Sequence, residues 1–194
     1  MKSKKKWISI LVLVAFLLSI VNVPVLAAGI EGTTEETPTS GDCSRLNDGT
    51  VTWNYDSSTK TLTISGSGAM KSFAKDSAVP WYDYMKEIET AVIENGVTNV
   101  GSRAFNSATA LSAVSLANTV TAIEDDAFHD CTSLKAITLP DSLTSIGSAF
   151  QSSGLTSIDI PAGVTSIGNS SFTSAKSLAA INVDSANKNY KSID

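Results

Sequence analysis

His129 is the only histidine in this chain of 194 residues. A hydrolase triad built on it would need a serine and a carboxylate converging on the imidazole. Serine is too common here for its presence to mean anything, and no nucleophile-elbow motif occurs. His129 is expected to be a solvated turn residue between Phe128 and Asp130, and no catalytic residue is assigned. Glu124, Asp125, Asp126 and Asp130 concentrate carboxylates, which calcium would favour. Their spacing lacks the alternating ligands and central glycine of an EF-hand, so a solvated acidic turn is expected. The two cysteines, Cys43 and Cys131, lie far apart in sequence, and with one histidine they make a poor zinc set. No metal or cofactor is assigned. Cys131 occupies a position filled by Ala108 and Ala175 in sister segments, which points to a small buried side chain rather than half of a disulfide. The remaining chemistry is recognition by a surface, and its character depends on the elements that carry it.

Residues 1–27 read as a secretory signal peptide: a basic start (Lys2, Lys4, Lys5, Lys6), an apolar stretch from Trp7 to about Val21, and small residues at Val25, Ala27 and Ala28. The apolar stretch is shorter than the roughly 20 residues that span a bilayer, so membrane contact is expected only through this peptide. Cleavage removes four of the fourteen basic residues and none of the nineteen acidic ones, leaving ten against nineteen. A surface that acidic disfavours nucleic acid. Residues 28–41, rich in Gly, Thr and Glu, read as a disordered linker. Residues 42–87 read as an N-terminal capping segment, with a β-hairpin formed by Val51–Tyr55 and Thr61–Ser65. A possible short helix follows in WYDYMKEIE.

The segment GSRAFNSATALSAVSL returns as EDDAFHDCTSLKAITL, GSAFQSSGLTSIDI and GNSSFTSAKSLAAINV. Phenylalanine recurs at 105, 128, 150 and 172, in steps of 23, 22 and 22 residues. Other columns keep the register: Val97, Val120, Leu143, Val164; Val100, Ile123, Ile146, Ile167; and Leu111, Leu134, Leu155, Leu178. Repetition at this period is the signature of a stacked solenoid in which no unit folds alone. The period-two alternation of AITLP and SIDIP makes one short parallel strand per repeat, with Ile137 and Leu139 inward and Thr138 outward. AFNSATAL has room for about one helical turn. Pro140 and Pro161 follow their strands, where a missing N–H is expected to cost no ladder bond. The third repeat is two residues short, which predicts a tighter turn. Trp53, Trp81, Tyr82 and Tyr84 are expected to form the core of the cap that covers the first repeat.

The columns I-x-x-I-G-x-x-A-F, C-x-x-L and x-I-x-L-P, as in LTSIGSAF, HDCTSLKAITLP and SIDIPAGVTSIG, resemble the BspA-type leucine-rich repeat of bacterial surface proteins. The leader GDCSRLNDGTVTWNYDSSTKTLTISGSGAM also resembles the entry segment of such proteins. The resemblance implies a leucine-rich-repeat solenoid of 21–23-residue repeats over 88–194, surface display, and adhesion without a catalytic residue or cofactor. The tail NKNYKSID presents no polar cap, so truncation at the C-terminus is expected.

The outward strand positions name the candidate binding face: Ser112, Ser115, Lys135, Thr138, Thr156, Asp159 and Asn182. This face is small and polar, without the aromatic and arginine anchors of tight interfaces. The expected function is a secreted or surface-displayed, non-enzymatic repeat protein that binds an extracellular protein or glycan weakly and multivalently. The alternatives are a structural spacer presenting a downstream module and a polysaccharide-active parallel β-helix. The β-helix would need charges clustered on one face, whereas the outward columns offer only Glu89, Lys135 and Asp159.

Overall fold

In a computed structural model the described residues are 37–192. The signal peptide, and residues 28–36 of the linker, lie outside them. Ser40 and Gly41, which composition places in the linker, instead begin strand β1 (Ser40–Asp42), antiparallel to β2 (Val51–Asp56). The expected hairpin is formed by β2 and β3 (Thr61–Gly66), paired in register from Val51 with Gly66 to Asp56 with Thr61. The chain from Trp81 makes a single 3₁₀ turn at Tyr82–Tyr84 rather than a longer helix.

The repeats stack into a solenoid of about four turns. Strand β4 (Thr90–Ile93) lies parallel to β3 on one side and to β6 (Ala113–Leu116) on the other, so the hairpin is physically the first part of the front sheet. The cap therefore protects the first repeat by continuing its hydrogen bonding as well as by covering its apolar end. Its aromatic core is the expected one in part. Trp53 and Trp81 are buried, with Phe73 edge-on to Trp81 at 5.7 Å, whereas Tyr82 is 48% exposed. The indole Nε1–H of Trp81 donates to the Ala104 carbonyl at 2.8 Å, which satisfies the one polar atom of a fully buried ring.

Each repeat makes a second short strand that the alternation pattern did not signal. Strands β5 (Asn99–Val100), β7 (Ala122–Ile123), β8 (Ser145–Ile146) and β10 (Ser166–Ile167) form a continuous parallel back sheet. These strands contain the Val100–Ile123–Ile146–Ile167 column. Two residues are too few for an alternation to register. A threonine ladder reinforces the sheet: the N–H groups of Thr121, Thr144 and Thr165 donate to the carbonyls of Thr98, Thr121 and Thr144 at 2.8, 2.9 and 2.9 Å.

Between the sheets run the phenylalanines. Phe105, Phe128, Phe150 and Phe172 stack with centroid spacings of 5.4, 5.5 and 6.0 Å and interplanar angles of 3°, 5° and 2°. The first three rings are fully buried. The shortened third repeat does turn more tightly. Before its phenylalanine, Ala149 donates its N–H to the Gly147 carbonyl two residues back at 2.8 Å, whereas the matching bonds of the other repeats, Ala104 to Gly101, Ala127 to Glu124 and Ser171 to Gly168, reach three residues back.

Among the described residues no helix is long and apolar enough to cross a membrane.

Candidate functional site

All seven residues of the predicted face are exposed, but they do not form one continuous sheet surface. Ser112 and Ser115 belong to β6 and its approach. Thr156 and Asp159 lie on and beside β9 (Ser157–Ile160), which pairs in parallel with β11 (Ala180–Val183), where Asn182 sits. Between these two groups Thr138 lies on a segment, Ala136–Leu139, that joins neither sheet, and Lys135 immediately precedes it. One strand per repeat is thus realised on the front face everywhere except in the second repeat.

The local cause is visible in the bond that closes each pairing. The residue just after each front strand donates its N–H to the end of the preceding strand: Glu94 to Ile64, Ala117 to Ile93 and Asp184 to Ile160, at 2.9, 3.1 and 3.0 Å. In the second and third repeats that residue is Pro140 and Pro161, which have no N–H. The two junctions closed by proline are the two without a strand ladder. The expectation that these prolines cost no ladder bond is therefore incorrect. Their position is outside the strand by alternation but inside the ladder by hydrogen bonding. The junction with β9 keeps its opening bond, Thr156 N–H to the Lys135 carbonyl at 3.0 Å, while the junction with β6 has no backbone bond at all.

At that second junction the front face opens into a cleft of about 430 Å³, lined by Val114, Ser115, Leu116 and Asn118 on one side and Thr138, Leu139, Pro140 and Asp141 on the other. Val114 and Leu116 are only partly buried in consequence, whereas their counterparts Ile158 and Ile160 are 1% exposed. Sequence reasoning missed Asn118 and Asp141, which follow the strands. The signal that could have found them is the pair of prolines in one column.

The predicted face residues differ in how free their polar atoms are. The Ser112 hydroxyl donates to the Glu89 carbonyl at 3.3 Å and the Thr156 hydroxyl to the Lys135 carbonyl at 3.2 Å, so both help hold repeats together. Lys135 Nζ donates to the Thr132 carbonyl at 2.9 Å, and Asn182 Nδ2 to Asp159 Oδ1 at 2.7 Å. Ser115 and Thr138 line the cleft from its two sides, with hydroxyls that have no hydrogen-bond partner among the described residues.

The chemistry-bearing residues of the turns serve the stack. His129 Nδ1 lies 2.9 Å from Asn106 Oδ1 and 3.8 Å from an oxygen of Asp130, with no serine hydroxyl among its partners. The acidic run is not simply solvated, as expected from sequence, but partnered. Glu124 accepts from Arg45 at 2.9 Å, from Asn99 Nδ2 at 2.9 Å, from the Ser102 N–H at 3.1 Å and from the Ser72 hydroxyl. Asp125 accepts from the Ser148 N–H at 2.8 Å, and Asp126 pairs with Arg103 at 3.0 Å. Repetition explains the outcome, because a carboxylate one repeat away from an N–H finds a donor that its own repeat does not offer. Among the described residues no group of three or more His, Cys, Asp or Glu is arranged to hold a metal.

Cys43 and Cys131 are separate buried thiols. Burial pushes both up to about 12, far from the thiolate form that reacts. Cys131 Sγ contacts the Phe105 carbonyl at 3.2 Å, within the stack. The tail, which the sequence reads as lacking a polar cap, supplies polar groups to the stack. Asn187 Nδ2 donates to the carbonyls of Pro161 and Val164 at 2.9 and 3.0 Å, and the Tyr190 hydroxyl accepts the Ile167 N–H at 3.0 Å.

Parallel strands, a phenylalanine spine and turns in register define a leucine-rich-repeat solenoid. The model of the BspA type leucine rich repeat region matches residues 81–193 with six copies, and the chain belongs to that family. A leucine-rich repeat protein from Eubacterium ventriosum is similar at 30% identity and a TM-score of 0.64, over 78% of this chain and 45% of that one. The T. pallidum leucine rich repeat protein shares the fold at 22% identity and a TM-score of 0.51, over 69% of each chain. A leucine-rich repeat protein from Bacteroides ovatus does so at 22% identity and a TM-score of 0.51, over 68% of this chain and 39% of that one. This chain thus spans less than half of the Eubacterium ventriosum protein. No curated protein matches the sequence.

Proposed function

We propose that the chain is a secreted or surface-displayed, non-enzymatic repeat protein that binds an extracellular protein or glycan through its front face. One observation carries the reading: polar side chains recur at fixed offsets on the exposed side of the front strands, while the turns and back sheet use their polar groups within the stack. The basic and apolar start of the sequence supports export, and membership of the BspA-type family supports surface display. Contacts from Ser115, Lys135, Thr138, Asp159 and Asn182 are individually weak. Repeated presentation on a cell surface would raise their effective strength through avidity. Ser112 and Thr156, whose hydroxyls already bond to backbone carbonyls, contribute shape more than hydrogen bonds.

The competing reading is a spacer that positions another module, favoured by the blandness of the face. Binding of the purified chain to immobilised matrix proteins and to a glycan array separates the two. A double variant, Lys135→Ala with Asp159→Ala, is expected to weaken whichever signal is found by about tenfold, equivalent to 1.4 kcal/mol. Equal binding by the variant and the parent would reject this surface, and binding to neither class of ligand would favour the spacer.

A further inference from the structure

Successive repeats are unequally joined along the front. Just after the Leu111–Leu134–Leu155–Leu178 column, Ser112, Thr156 and Ala179 donate their N–H groups back to Glu89, Lys135 and Thr156 at 2.9, 3.0 and 2.9 Å. Lys135 holds that position in the second repeat, and its N–H makes no such bond. The hydroxyls of Ser112 and Thr156 also tie back to the preceding repeat, whereas Lys135 Nζ donates to Thr132 of its own repeat. At the other end of the segment Pro140 has no N–H to give to Leu116. Between β6 and the 136–139 segment, therefore, no backbone hydrogen bond crosses the front. The same turns are held closely on either side of that gap. Before it, Arg103, Phe105 and Ser107 donate their N–H groups to the carbonyls of Asp125, Ala127 and His129 at 3.1, 2.9 and 2.8 Å. After it, the Ser142 hydroxyl donates to the Val120 carbonyl at 2.7 Å, and the N–H groups of Thr144 and Gly147 donate to Thr121 and Ile123 at 2.9 and 2.7 Å. In the core the Phe105 and Phe128 rings lie 5.4 Å apart. In a stacked array each unit contacts only its neighbours, so the least bonded interface sets where the array gives.

We propose that this junction is a hinge. The cap with β4 and β6 moves as one panel and β9 with β11 as another, and the continuous back sheet is the axis about which they rock. Opening at the front breaks no backbone hydrogen bond there, while the bonds of the back sheet and of the turns fix the axis. Val114 and Leu116 at the edge of the first panel are already only partly buried, so a small opening uncovers little new apolar surface. The inference goes beyond the binding reading and does not depend on it. Its consequence for any partner of the front face is that Ser112 and Ser115 change their distance from Thr156, Asp159 and Asn182.

The test is a pair of distance distributions measured by double electron–electron resonance on the purified chain. Nitroxide labels at Asn54→Cys and Ser157→Cys span the junction, and labels at Ser40→Cys and Ser115→Cys stay within the first panel. Cys43 and Cys131 are buried, so the labels go to the introduced thiols. Strand spacings of about 4.8 Å place the two pairs roughly 24 and 19 Å apart. The spanning pair is expected to give a distribution about twice as wide as the pair within the panel. Pro140→Ala supplies the missing N–H and should narrow the spanning distribution. Ala117→Pro places a proline in a column that already carries two and removes the bond to Ile93, so it should widen the distribution of the pair within the panel. Equal widths for the two pairs in the parent chain overturn the hinge. A spanning width unchanged by Pro140→Ala, or a panel width unchanged by Ala117→Pro, overturns the closing bond as its cause.

Discussion

The front and back of the solenoid are built from the same repeats and differ in continuity. The back sheet runs unbroken from Asn99 to Ile167, and the phenylalanine stack beneath it keeps its rings within 5° of parallel. The front sheet stops at β6 and resumes at β9. On the back, each strand is so short that its pairing depends on flanking bonds, and those are supplied by threonines in every repeat. On the front, each strand is longer, yet its pairing is closed by one residue whose identity varies among Glu94, Ala117, Pro140, Pro161 and Asp184. A repeat array is therefore only as regular as the least regular column that supplies an inter-repeat bond.

Substitutions can sharpen this contrast. Phe128→Ala removes a ring stacked on both sides and should cost about 3 to 5 kcal/mol in chemical denaturation. A near-neutral result would mean that the spine does not hold the stack. On the front, Ile158→Ala in the paired strand should cost more than Ile137→Ala in the unpaired segment, which belongs near the lower end of the range for such truncations, about 2 kcal/mol. Equal costs would indicate that the opening in the sheet has no energetic consequence. Both sites are mostly buried, with Ile137 8% exposed and Ile158 1%.

The edge of the back sheet gives a smaller effect. There the Asn99 amide accepts the Met70 N–H at 2.7 Å and donates to the Met70 carbonyl at 3.2 Å, standing where a further strand's backbone would be. Asn99→Ala leaves those buried groups unpaired and should cost about 1 to 3 kcal/mol, measured by thermal or denaturant unfolding.

The mildest effect separates the cap from the repeats. Asp42, Asp48 and Asp56 are all held below their ordinary value of 3.8, first by hydroxyl hydrogen bonds from Ser44, Thr50 and Ser58. Because the folded values are depressed, their contribution is complete above 3.8 and is lost as the pH falls through the lower folded values. Acidification past that point should loosen the turns of the cap, seen as faster amide exchange there, before it affects the repeats. Simultaneous loosening of both regions would contradict it. All three groups are fully exposed, so the effect is small.

Much of this was legible in the chain itself. The hairpin followed from alternation, expected at Val51–Tyr55 and Thr61–Ser65 and found one residue longer on each strand, and the phenylalanine spine from a column that repeats without variation. The candidate face was legible as a set of outward residues but not as a surface, since Ser115 and Thr138 share one column of an alignment and stand on opposite sides of a cleft in space. The acidic run at Glu124 to Asp126 read as solvent-facing because its partners, Arg45, Asn99, Arg103 and Ser148, come from other turns of the chain.

The sequence by itself determined the solenoid, its register and which side chains face inward, because burial of periodic apolar columns is decided within each repeat and copied to the next. Only the tertiary structure decided where the front sheet opens. A strand ladder is closed by a donor from the following repeat, so the effect of Pro140 is felt at the carbonyl of Leu116, one full turn of the solenoid away.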